Sequence, residues 1–137
     1  MRKLMLFGAA FVLLATAAVM AGPREDILAQ LTAQAKADNA AFAGFSADRG
    51  YKLFSTKWGL GKPATPSCTA CHTASPLNEG KTRAGKQIAP MAISKTPDRF
   101  TDPEKVAKWF RRNCRTVLGR ECTALEKGDY LTFMISK

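Results

Sequence analysis

The chain has 137 residues, with 21 lysines and arginines against 11 acidic residues for a formal charge of +10, four cysteines and one histidine. That length, less a leader, allows one compact domain and excludes a second of ordinary size. The basic residues are dispersed rather than gathered into a tract, which argues against nucleic acid as a partner and leaves solubility, an acidic partner or an anionic membrane surface as their use.

Residues 1–21 read as a signal peptide. Arg2 and Lys3 form a basic start, Leu4 to Val19 an uncharged apolar run, and Val19 with Ala21 a small-residue pair for cleavage. An uncleaved anchor is the alternative, since the two kinds of segment overlap in length. No later run approaches the ~20 apolar residues of a spanning helix, so residues 22–137 are expected to be a soluble periplasmic domain. In that oxidising compartment, cysteines not taken up by a cofactor should pair, and Cys114 with Cys122 is the pair this suggests.

The first element is predicted in "PREDILAQLTAQAKADNAAF", where Pro23 and two acids open a helix and Ile27, Leu28 and Leu31 share a face. The second is "SADRGYKLF", capped by Ser46, with Tyr51, Phe54 and Trp58 at helical spacing. Gly50 costs this helix about 1 kcal/mol relative to alanine, which the close approach of another backbone would offset. "GLGKPATPS" reads as a loop, and residues 73–97 show no sustained periodicity, as expected of a segment wrapped around something. A helix follows in which Thr101 or Asp102 caps, Pro103 lies in the first turn, and Val106, Trp109, Phe110 and Asn113 share a face. Thr123 and Glu126 form a capping box for a last helix containing Leu125, Tyr130, Leu131, Phe133 and Met134. No strand pattern is evident, so an all-α domain is expected.

The chemistry lies in "SCTACHTA". Cys-x-x-Cys-His is the attachment sequence of c-type haem: Cys68 and Cys71 add to the two vinyl groups, and His72 ligates the iron. A thioredoxin-like redox pair would require a βαβ context, and zinc two further ligands. Neither is evident. One motif implies one haem, and with His72 the only histidine a bis-histidine iron is excluded by composition.

The sixth ligand is then methionine, something weaker, or nothing. Met91 and Met134 are the sulfur candidates outside the leader, and Met91, after Pro90 in the wrap, suits an electron-carrying His/Met cytochrome. The competing reading of Met91 is a gap-filling side chain. Asn113 interrupts an apolar helical face where a buried amide would need a partner, and an iron cation is one. Its ordinary role would be a helix C-terminal asparagine in contact with water.

Five segments, "GKPATPSCTACH", "TRAGKQIAP", "TPDRFTD", "KWFRRNC" and "GRECTALEKGD", together resemble the SHP (sphaeroides haem protein) family of high-spin class I cytochromes c. The likeness is dense from Gly61 to Asp129 and includes "DRGYKLF" before it. It implies a class I cytochrome c fold over residues 22–137, with the Gly50 helix crossing the C-terminal helix at that glycine. By the same resemblance Asn113, directly before a cysteine, ligates ferric iron, and Cys114 and Cys122 form the disulfide. The family does not use the position of Met91 as a ligand, so a methionine there keeps the His/Met alternative open.

An amide oxygen is a hard neutral donor, suited to ferric and poorly suited to ferrous iron. Reduction is therefore expected to release Asn113, opening the iron to O2, NO or CO as in the resembled family. Arg83 and Lys86 are candidate partners for the haem propionates, Thr73 a further donor, and Trp109 a haem-packing residue. The resemblance implies a dihaem cytochrome c and a membrane cytochrome b as redox partners. Electron transfer with diatomic-ligand binding is thus the main expectation. A conventional shuttle with Met91 on the iron, and an enzyme acting on NO, O2 or peroxide, are the alternatives.

Overall fold

The computed structural model describes residues 22–137, so the signal-peptide reading lies outside the described residues. Five helices and one short hairpin follow one another as α1 Pro23–Asp38, α2 Ala47–Ser55, α3 Thr69–His72, β1 Gly80–Lys81, β2 Gln87–Ile88, α4 Pro103–Val117 and α5 Ala124–Ile135. Among the described residues no helix is long and apolar enough to cross a membrane.

Local signals set most helix ends. Pro23 starts α1, with Glu25 and Asp26 in its first turn and Lys36 in its last, as the helix dipole favours. Ser46 Oγ accepts from Arg49 N at the start of α2. Asp102, rather than Thr101, caps α4 by accepting from Lys105 N at 3.0 Å; Thr101 Oγ1 donates instead to Asp98 O. The capping box of α5 is complete: Glu126 N donates to Thr123 Oγ1, and Thr123 N donates to the Glu126 carboxylate.

One expectation is corrected. The helical spacing through Trp58 ends early, because α2 stops at Ser55, Thr56 is extended and Gly59 turns the chain at φ 64°. Trp58 folds back, its indole N–H donating to Leu53 O and its backbone N–H to Pro66 O. The all-α expectation holds, with one minimal hairpin between the first and last helices: β1 and β2 pair antiparallel, Gly80 opposite Ile88 and Lys81 opposite Gln87. Strands of two residues are too short to show alternation, so no pattern marked them.

Helix α5 packs across both α1 and α2. A Cβ on Gly50 would stand 2.0 Å from Asp129 O and 2.8 Å from Phe133 Cβ, so the two helices cross backbone to backbone at this glycine. Beside the crossing the buried Asp129 carboxylate accepts from Ser46 N and from Arg49 Nε and Nη2, fastening the start of α2 to α5. Phe54, Leu131 and Met134 are fully buried in the resulting core, which extends to Met91, Val117, Leu118 and Tyr130. Cys114 and Cys122 are bonded, tying the end of α4 to the approach of α5.

Candidate haem site

Residues 59–67 deliver the chain to the cysteines along the end of α4. Lys62 N donates to Thr116 O at 2.7 Å, and a Cβ on Gly61 would meet the same carbonyl at 2.0 Å. Only a glycine allows this contact. The chain then enters a single tight turn in which Cys71 N and His72 N both donate to Cys68 O, at 3.2 and 3.1 Å. Spacing of four within that turn brings Cys68 and His72 to one side. Thr73 leaves the turn at φ 61°, a left-handed conformation uncommon for threonine.

The far side of the turn is closed by β1. A Cβ on Gly80 would stand 2.2 Å from Cys71 O, so the hairpin backbone rests directly on the turn. Beyond it the wrap is pinned at several points. Met91 N and Ala92 N both donate to Pro76 O at 2.9 Å, and Thr96 Oγ1 donates to Pro90 O. Arg99 donates from Nε to Pro90 O and from Nη2 to Ala89 O, while its own carbonyl accepts from Arg24.

The donor set suits covalent haem. Cys68 and Cys71 are half-buried free thiols. Burial pushes the Cys68 thiol up to about 11, so it stays protonated at neutral pH. Burial, and then the positive charge of Arg99, lowers His72 to about 4, which leaves a neutral imidazole able to ligate a metal. His72 Nδ1 is buried with no hydrogen-bond partner, an arrangement that costs about 1–3 kcal/mol unless a further group meets it. Two thiols and one unsatisfied imidazole on one turn fit a haem bonded at two points and ligated at a third. The zinc alternative lacks its ligands, because among the described residues no three His, Cys, Asp or Glu side chains gather as a metal site.

The other predicted residues are placed as follows. Asn113 lies on α4 immediately before Cys114 and is exposed, while Cys114 and Val117 take the buried positions and Val106 and Phe110 pack partly buried against the core. The buried amide expected from the apolar spacing is thus at the margin of that face. Trp109, four residues before Asn113, is half-exposed, with Lys108 Nζ 5.9 Å and the Arg112 guanidinium 5.5 Å from its ring. Arg83 and Lys86 are exposed in the hairpin turn, away from any ion pair among the described residues. Thr73 Oγ1 donates to Ser75 O. Met91 is buried in the core cluster, as is Met134.

Three contributors carried no sequence signal. Gly80 and Arg99 act on residues distant in the chain, as described above. Tyr130 is buried beneath Phe54, Phe100 and Phe110, with ring centroids 6.4, 6.3 and 5.5 Å away, and burial raises its phenol. It read only as one apolar position of α5.

Comparison with known proteins agrees with this geometry. Residues 40–134 match a family described as a domain of unknown function, DUF1924. The chain is 51% identical over 123 residues to the cytochrome c-type protein SHP of Cereibacter sphaeroides, covering 88% of this chain and 94% of that one. It is 30% identical over 114 residues to cytochrome c'' of Methylophilus methylotrophus, covering 82% and 79%. Among solved structures, oxidised SHP, described as an oxygen-binding cytochrome c, superposes with a TM-score of 0.77 at 46% identity, covering 85% of this chain and 97% of that one. Oxidised cytochrome c'' of M. methylotrophus gives 0.73 at 30% identity, covering 84% and 94%. The chain belongs to the SHP family of class I c-type cytochromes and carries covalent haem c.

Proposed function

We propose that the protein is an exported electron-transfer cytochrome in which Cys68 and Cys71 attach the haem, His72 ligates the iron permanently, and Asn113 ligates it only when oxidised. Held by Cys68, Cys71 and His72, haem c would supply a redox-active iron. The observation that carries the reading is that the single histidine excludes a second imidazole on the iron, while Asn113 is held beside the Cys114–Cys122 bond. Its amide oxygen suits ferric iron and is a poor ligand for ferrous iron, so the residue releases on reduction. The position it leaves accepts O2, NO or CO. The oxygen binding of the related SHP and the haem-ligand detachment studied in M. methylotrophus cytochrome c'' support this sequence of events. A dihaem cytochrome c and a membrane cytochrome b are the proposed redox partners, and the periplasm the proposed location. Met91 has the packing role its burial supports.

Optical spectra of the oxidised and reduced protein, with and without CO, test this. A high-spin reduced form that binds CO rapidly is expected. A methionine-to-iron charge-transfer band in the oxidised protein, with a reduced form inert to CO, would establish the Met91-ligated shuttle instead. Steady-state turnover with reductant and NO, O2 or peroxide would establish the enzyme.

A further inference from the structure

Helix α4 has a second face. Lys108, Arg111, Arg112 and Arg115 recur at spacings of three and four, so they form one exposed ridge, turned away from buried Cys114 and Val117. With Lys62 and Thr116 they line a groove of about 430 Å³ between the ridge and the loop that leads to the cysteines. Arg115 is paired with Glu121 at 2.6 Å; among the described residues Lys62, Lys108, Arg111 and Arg112 make no ion pair. No acidic residue lines the groove. Like charges gathered this closely repel one another, a cost that an approaching anionic surface removes.

We propose that this groove is the docking surface for an acidic redox protein. The four unpaired cations and the absence of any acidic lining residue make the groove complementary to an acidic protein patch. Position favours the same occupant. The groove is bounded by the loop entering the turn that carries Cys68, Cys71 and His72, so a protein seated there lies against the segment that attaches the haem. Beside the groove, half-exposed Trp109 has Lys108 Nζ 5.9 Å and the Arg112 guanidinium 5.5 Å from its ring and extends the contact. The docking rests on the electron-transfer reading but not on Asn113 being a ligand.

The test uses the haem-loaded protein and a strongly acidic probe, flavodoxin hydroquinone, which passes one electron to the ferric protein and becomes the semiquinone. Stopped-flow rates are measured across ionic strength for wild type, for Lys108→Glu/Arg112→Glu, and for Lys36→Glu/Lys52→Glu, which makes the same charge change on α1 and α2. The groove variant should be slower by roughly tenfold or more at low salt and converge with wild type at high salt, while the control pair changes little. Asn113→Ala should keep the wild-type salt dependence, so a failure of the ligand reading leaves this proposal standing. Equal slowing by both pairs would mean that net charge alone acts, and an unchanged groove variant would mean that docking occurs elsewhere; either overturns the proposal. So would a groove variant that loses binding to phosphatidylglycerol vesicles while its electron-transfer rates are unaltered.

Discussion

Gly80 of β1 rests on Cys71 of α3 so closely that a Cβ would stand 2.2 Å from the cysteine's carbonyl oxygen and 3.0 Å from His72 Cα. The hairpin therefore forms one wall of the attachment turn. Both contacts are to backbone, which has no side-chain freedom with which to yield. Gly80→Ala should cost about 1–3 kcal/mol and lower the fraction of protein carrying covalent haem. The ratio of haem-derived absorbance to protein in purified material measures this, with the denaturant midpoint of the loaded fraction as companion.

The Cys114–Cys122 bond closes a short loop, with a sequence separation of 8. The chain-entropy model values such a closure at about 2.5 kcal/mol, so Cys122→Ser should lose stability of that order in a urea titration. Because Cys114 directly follows Asn113, the same variant should also shift the ferric ligation equilibrium. An unaltered ferric spectrum alongside the stability loss would reduce the bridge to a staple.

Asp129 is buried, accepts three hydrogen bonds, and is paired with Arg49, whose side chain is 48% exposed. Asp129→Asn removes the charge while nearly keeping the shape. Water can take up the freed guanidinium, so the loss should be about 1–3 kcal/mol rather than that of a fully buried pair. Thermal unfolding of the loaded protein would show it, with the haem spectrum unchanged at low temperature.

The Arg120 guanidinium hydrogen-bonded to Glu126 holds that carboxyl below the usual carboxylate range, with Thr123 adding to the effect. A carboxyl lowered on folding stabilises fully above its unfolded value, near pH 4.3, and this contribution disappears as pH falls through the folded value. Gln keeps the capping hydrogen bond from Thr123 N, so Glu126→Gln loses only the ion pair with half-exposed Arg120 and should cost about 0.2–1 kcal/mol at neutral pH. Its stability curve should then meet that of wild type at acid pH, below the folded value of Glu126. Urea midpoints across the acid range give both curves.

Features written into adjacent residues were legible in the sequence. Pro23, Ser46 and the Thr123–Glu126 box act within one turn of themselves, and each sets a helix end. Gly50 was legible because a glycine inside a helix has a cost that must be offset, and Asp129 provides the offset through close packing. Trp58 reached the core from beyond the helix, after α2 ends at Ser55 and Thr56 runs extended, a break that periodicity does not encode. Gly80 and Arg99 were invisible because each works on backbone distant in the chain, at Cys71 and at residues 89–90. Asn113 was singled out by its place among apolar neighbours, yet it lies exposed at the margin of that face, and Cys114, next in sequence, takes the buried position.

The central claim is that Asn113 holds the iron in one oxidation state and releases it in the other. Paired oxidised and reduced spectra of wild type and Asn113→Ala, both with haem covalently attached, test it most directly. The account predicts an oxidised variant converted to a water-bound or five-coordinate form and a reduced spectrum superimposable on wild type. An unchanged oxidised spectrum would contradict it by removing Asn113 as the ligand, and an altered reduced spectrum would contradict it by showing that the residue does not let go.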